Sequence, residues 1–176
     1  ALYANTTADS NTALGYNALT TNTTGALNVA VGALALDANT TGGQGIAIGY
    51  EALTANTTGN YNIGIGTEAL EANTTASDNV AVGNAALKAN TQGTDNVAVG
   101  SGALTTFNYT SAADTWNVAV GKDALGDLTT GTQNTALGGK ALDAATTSSN
   151  NVAVGYKALL LNTTGTNNTA VGTFAL

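Results

Sequence analysis

Cysteine, proline, methionine, histidine and arginine are all missing from the 176 residues of this chain, and each absence removes a class of explanation. Without cysteine there are no disulfides and no thiolate metal sites. Without histidine or cysteine, a nucleophile and its base would have to come from Ser, Thr, Lys and carboxylates; the lysines form no recurring pair with a serine, so no catalytic residues are assigned. The four basic residues, Lys88, Lys122, Lys140 and Lys157, are scattered. Phosphate neutralisation needs clustered positive charge, so nucleic acid is not an expected partner. No apolar run approaches the roughly 20 residues of a membrane span. The chain opens at Ala1 with neither an initiator methionine nor an export signal, which we read as a processed chain or a fragment.

Charge is also scarce. Charged residues make up 9% of the chain, with a formal net charge of -7, against about 25% charged residues in ordinary globular domains. Disorder pairs low hydrophobicity with high net charge, whereas here 43% of residues are hydrophobic, so an ordered chain is expected. What fills it is alanine, glycine, asparagine and threonine in a tandem repeat.

The segment N-V-A-V-G recurs, beginning at Asn11, Asn28, Gly45, Asn62, Asn79, Asn96, Asn117, Asn134, Asn151 and Asn168. The step is 17 residues everywhere except 117 − 96 = 21, which marks one four-residue insertion within residues 107–116. The consensus is N-[VIT]-A-[VIL]-G-x-x-A-L-x-x-N-T-T-G-x-x, and residues 1–176 read as a single array of about ten such units. Position 5 is always glycine: Gly15, Gly32, Gly49, Gly66, Gly83, Gly100, Gly121, Gly138, Gly155 and Gly172. Position 9 is always leucine after alanine, as at Leu87, Leu104, Leu125 and Leu142. These two columns are the expected structural ladders.

The repeated glycines and β-branched residues leave no segment able to form a stable helix. Positions 2 and 4, such as Val80 and Val82, fall on one face of a short strand and the alanine between them on the other. The invariant glycine turns the chain, a second short strand is expected at Ala-Leu, and N-T-T-G closes the coil with turn residues. The predicted fold is all-β, a parallel β-solenoid of 17-residue coils stacked about 4.8 Å apart. Asparagines of position 1 and of the N-T-T turn are placed to pair amide to amide along the stack, as in cross-β assemblies. The N-V-A-V-G strand is apolar on both faces, but a thin coil has only one interior. The other face is therefore expected to be covered by copies of the same chain, with a homotrimer as the favoured assembly.

Units such as N-V-A-V-G-N-A-A-L at Asn79–Leu87 and N-V-A-V-G-Y-K-A-L at Asn151–Leu159 resemble the head repeats of trimeric autotransporter adhesins. The N-T-A-V-G-x-x-A-L form, as at Asn168–Leu176, is similar to repeats of phage tail-fibre and bacterial surface fibre proteins. The resemblance runs the length of the chain. It implies a left-handed parallel β-roll packed as a parallel trimer, used for attachment at a cell or virion surface. It transfers no catalytic residues, and this chain departs from adhesin heads in its longer unit, its constant leucine and its N-T-T-G turn.

The functional expectation is a non-catalytic extracellular fibre that attaches to a surface, with a cell-surface receptor or glycan as its target. Alternatives are a structural filament that polymerises end to end and, third, an ice-binding solenoid. The last rests on Thr6, Thr23, Thr40, Thr57, Thr74, Thr91, Thr129, Thr146 and Thr163, which share one column; that column lies in a turn, and adjacent Thr-Thr residues point to opposite faces. No metal and no cofactor are assigned. Glu51 and Glu68 stack at position 7 and could draw a cation, although solvent screening explains like charges there more simply. The N-x-T sequons at Asn5, Asn22, Asn39, Asn56, Asn73, Asn108, Asn162 and Asn167 could accept glycans, but most belong to the repeat consensus, and turn formation accounts for them first. The irregular segment 107–116 gathers Phe107, Tyr109 and the single tryptophan, Trp116. These are the candidate binding residues; the plainer account, which we favour, is that the rings cover a widened turn or seal a seam between chains.

Overall fold

The computed structural model describes residues 1–176 throughout. It is all-β without a helix, a parallel β-solenoid whose ten principal strands bound nine complete turns. The strands are Thr12–Leu14 (β1), Val29–Val31 (β2), Ile46–Ile48 (β3), Ile63–Ile65 (β4), Val80–Val82 (β5), Val97–Val99 (β7), Val118–Val120 (β9), Thr135–Leu137 (β10), Val152–Val154 (β11) and Thr169–Val171 (β12). They form one parallel sheet in chain order, each residue beside the same repeat position of the next coil, as in Val80↔Val97 and Ala81↔Ala98. Two short strands, Gly93–Thr94 (β6) and Ala113–Asp114 (β8), pair separately beside the insertion.

The strands supply little of the cohesion. Of 107 backbone hydrogen bonds only 19 lie within the strands, so most of the coil-to-coil bonding runs through turns. The Leu36 N–H, for example, donates to the Ala52 carbonyl at 3.1 Å and the Leu53 N–H to Ala69 at 3.0 Å, repeating one coil on.

The expected second strand at Ala-Leu does not form. The leucines of position 9 adopt φ of 49° to 53° in coil after coil, from Leu19 to Leu159, which is left-handed backbone that cannot continue a strand. That conformation costs a residue with a Cβ roughly 1–2 kcal/mol. Burial offsets it: Leu19, Leu53, Leu70, Leu87, Leu104, Leu125 and Leu142 have no exposed surface. The turn swings each leucine inward against the alanines of positions 3 and 8, such as Ala81 and Ala86, which are also fully buried. The interior is therefore a column of small and branched side chains only about one side chain thick.

The glycine of position 5 is fixed twice over. Its φ lies between 131° and 141° in every coil, a region that side chains exclude. A Cβ at Gly83 would also stand 2.6 Å from the carbonyl carbon and oxygen of Gly100 in the next coil. Neither problem can be relieved without parting the coils.

Two asparagine columns line the interior at the turns. In the N-T-T turn, Asn39 Nδ2 donates to Asn22 Oδ1 at 2.8 Å, Asn56 Nδ2 to Asn39 Oδ1 at 2.9 Å and Asn73 Nδ2 to Asn56 Oδ1 at 2.8 Å. At position 1, Asn96 Nδ2 donates to Asn79 Oδ1 at 3.0 Å, while the Asn96 backbone N–H reaches the same oxygen at 3.0 Å. Both columns converge on the carbonyl of position 15: Gly42 O accepts from Asn28 Nδ2 and from Asn39 Nδ2, each at 2.9 Å. Buried amides are costly unless bonded, and here the repeat supplies their partners from the neighbouring coils.

Candidate functional site

The insertion is absorbed in two places, leaving the sheet register intact. Val97↔Val118 pair across it as any other coils do. Tyr109 keeps the level of Gln92, whose N–H donates to its carbonyl at 3.1 Å, and Ala113 keeps the level of Gly93. Residues 110–112 are therefore extra, and all three are exposed. The fourth extra residue is Thr115. Its N–H donates to Thr94 O at 3.1 Å below it, while its carbonyl accepts from Gln133 N–H at 2.8 Å above it, so it takes the part of position 17 for one neighbour and position 16 for the other.

The three aromatic candidates separate. Phe107 has no exposed surface and belongs to the core. Counting three residues from Leu104 puts it at position 12, where most other coils carry the turn asparagine. Tyr109 is partly buried and stacks on it, with ring centroids 6.3 Å apart and planes inclined 16°. Phe107 is thus corrected from a binding candidate to a core residue, since a ring without surface cannot meet a receptor. Trp116 alone presents its ring, 51% exposed.

Trp116 stands at the rim of an exposed apolar face. Positions 2 and 4 of all ten strands point outward, and neither column carries a charge. Val31, Ile65, Val82 and Val99 are half-buried, and Ile48, Val120 and Leu137 are exposed. Position 17 lies two residues before each strand, in left-handed backbone, and position 6 two residues after it, beyond the glycine turn; these two columns flank the face as its rims. Leu27, Tyr61 and Trp116 lie on one rim, and Tyr16, Tyr50 and Tyr156 on the other, all exposed. Contiguous apolar surface on this scale is uncommon on monomeric proteins and marks interaction sites.

The carboxylates form no open cation site. Oxygens of Glu51, Glu68 and Glu71 lie within 4.8 Å of one another, but a lysine already stands among them. Lys88 Nζ donates to Glu68 Oε2 at 2.7 Å and lies 3.0 Å from Glu71 Oε2, the latter a charge contact without hydrogen-bond alignment. The glutamates beside it, Glu68 first, raise the Lys88 pKa above the ordinary lysine value. Lys140 repeats the device between Asp143 at 2.9 Å and Asp123 at 3.4 Å, and its pKa is raised chiefly by Asp143. Tyr50 at the rim is raised as well, mainly by its hydrogen bond to Glu51.

The threonines of position 13 spend their hydroxyl protons within the stack. Thr23 Oγ1 donates to Thr40 O at 3.0 Å, and Thr40 and Thr57 repeat the bond one coil on. The sequon asparagines Asn22, Asn39, Asn56 and Asn73 are buried, with their amide nitrogens committed to the ladder, so the folded chain offers no acceptor there. Asn167 is exposed. The surface has no enclosed pocket.

The class of protein that this geometry defines is a parallel β-solenoid with one uncovered aliphatic face. No family model, no curated protein and no solved structure matches the chain.

Proposed function

We propose that this chain is a segment of a non-catalytic extracellular fibre, used for attachment at a cell or virion surface and working as a homo-oligomer, most simply a homotrimer. The observation that carries the reading is the pairing of a stiff, self-bonded stack with a long aliphatic face left open to solvent. Burial of apolar surface is the main favourable contribution to association, and every coil adds an equal share of it. The repeats that resemble adhesin heads and tail fibres are built for the same arrangement. A receptor or glycan would then be met by surfaces outside the aliphatic face, such as the exposed loop at 110–112.

Ice binding draws less support, because the position 13 hydroxyls are tied to the next coil and the exposed threonines of position 14 make a single column. The test is imaging of the native material together with the mass of the folded chain in solution. Spikes projecting from a cell or virion surface, and a mass that is a multiple of 17.2 kDa, are expected. A dispersed monomer inside cells would overturn the proposal, and unbroken filaments would favour the structural alternative.

A further inference from the structure

One N-x-T sequon of the chain is turned outward while the repeat ties up the others. We infer that Asn108 is the acceptor of an N-linked glycan, carried on the loop that the four-residue insertion creates. The inference rests on the extracellular reading above and adds a modification site to it.

The place of each asparagine in the repeat decides which sequons are open. Asn5, Asn22, Asn39, Asn56, Asn73 and Asn162 stand at position 12. In each the Nδ2 group donates to the position 15 carbonyl of its own turn, at 2.9 to 3.1 Å. At the insertion Phe107 takes position 12, and the asparagine falls one residue on, in the column where Thr23 and Thr40 are partly exposed and Thr129 is exposed. Asn108 is held there by its backbone N–H, which donates to Thr129 O at 3.0 Å, and by its Oδ1, which accepts from Thr91 Oγ1 at 2.8 Å. Its Nδ2 has no partner in the chain and is open to solvent. The hydroxyl that completes the sequon belongs to Thr110, the first of the three exposed extra residues, so both groups that define the acceptor lie on the loop. Asn167 is exposed as well, but its Thr169 is held in β12 against Val152. A transferase reading that sequon would have to lift the strand.

The transfer needs an activated sugar. The C1–O bond of a sugar linked to a lipid or nucleotide diphosphate breaks, a C1–N bond to Asn108 Nδ2 forms, the amide gives up one proton and the diphosphate leaves with the bonding pair. The amide ladder confines where such a bond is tolerated. A sugar on Asn39 Nδ2 would displace one of the two protons that bond Asn22 Oδ1 at 2.8 Å and Gly42 O at 2.9 Å, leaving a buried acceptor unpaired. It would also force a pyranose ring into the interior, where Asn39 has no exposed surface. If transfer follows folding, the ladder amides are out of reach; if it precedes folding, a chain modified in the ladder cannot stack. Either order spares Asn108. A bulky polar group there leaves the register unchanged, because residues 110–112 already stand outside the coil.

The scarcity of lysine makes the test direct. Trypsin acting on the denatured native protein cuts after Lys88 and Lys122, and the peptide 89–122 between them carries Asn108 as its single sequon. Mass spectrometry should find sugar on that peptide and none on peptide 1–88, which holds the ladder asparagines Asn22, Asn39, Asn56 and Asn73. Asn108→Gln and Thr110→Ala, each produced in the same source, should both lose the sugar while the unfolding midpoint stays close to that of the parent chain. Sugar that survives Asn108→Gln would be linked to a hydroxyl and would overturn the site. Sugar on peptide 1–88 of the folded protein would overturn it equally, since the ladder would then tolerate the modification. An extracellular protein whose peptide 89–122 has its bare mass would remove the site and leave the extracellular reading standing. A bare chain found inside cells would remove both.

Discussion

Two stretches of the same column close the turn by different chemistry. From Asn22 to Asn90 position 12 is asparagine, and in the next three coils it is Phe107, Leu128 and Ala145. In the first stretch the position 15 carbonyl accepts two amide nitrogens, as Ala76 O does from Asn62 at 2.7 Å and Asn73 at 3.1 Å. In the second it keeps one of them: Gly131 O accepts from Asn117 at 2.9 Å and Ser148 O from Asn134 at 2.8 Å. The backbone path is nonetheless the same, with strand register unbroken through both. The path is therefore set by the glycine and leucine columns, and position 12 only has to be filled. Where the two stretches meet, the cost is visible. Asn90 turns its Oδ1 to its own Gly93 N–H at 3.0 Å, and Asn73 Oδ1 is left buried without a partner. At the far end Ser148 Oγ is likewise buried and unpartnered.

The sharpest break in the comparison is Phe107→Ala, which empties the largest buried side chain of the apolar stretch. A loss of about 3–5 kcal/mol is expected, typical of buried phenylalanine truncations, read from urea unfolding at unchanged slope. An effect below about 1 kcal/mol would place Phe107 at the surface after all. Next in size is Asn56→Ala, which removes one donor and strands the buried Oδ1 of Asn39. About 1–3 kcal/mol should be lost, and the same substitution at Asn167, which is exposed, should change little.

Ala145→Asn tests the comparison in the opposite direction, by extending the amide column into the apolar stretch. The new amide has the Ser148 carbonyl within the turn as acceptor, as Asn39 has Gly42, and a gain of about 0.5–1.5 kcal/mol is expected. A loss would mean that the coil has closed around the smaller side chain. The smallest effect belongs to the exposed ion pairs. The Lys88 pKa is raised in the folded chain, so its contribution is complete below the unfolded lysine value near 10.5 and disappears as pH rises through the folded one. Lys88→Gln should accordingly cost little at pH 7, less still in high salt, and nothing once the pH has passed the raised value of the folded chain.

The glycine column was legible because only glycine tolerates that backbone, and the array spacing because each unit restarts at the same pentapeptide. The insertion was countable from the step of 21 residues between Asn96 and Asn117. The left-handed leucines were not legible: leucine has no preference for φ above zero, and its constancy reads equally well as a strand core. Positions 7 and 17 are left-handed too, as at Glu51 (56°) and Leu27 (63°), yet their residue types range over acids, amides, lysine and aromatics and carry no signal. Phe107 could have been placed. The count from Leu104 assigns it to the buried turn position, and only its neighbourhood of other aromatics suggested a surface role.

Each coil touches only the coil before it and the coil after it, and this fixes how the molecule would answer a pull along its length. A coil occupies about 4.8 Å of the stack while it is bonded. Once peeled from its neighbour, its 17 residues would span up to about 56–61 Å. A tether built of such coils would lengthen roughly tenfold at the point of failure while the remaining coils stayed folded. Load would then be shed one turn at a time from whichever end gave way.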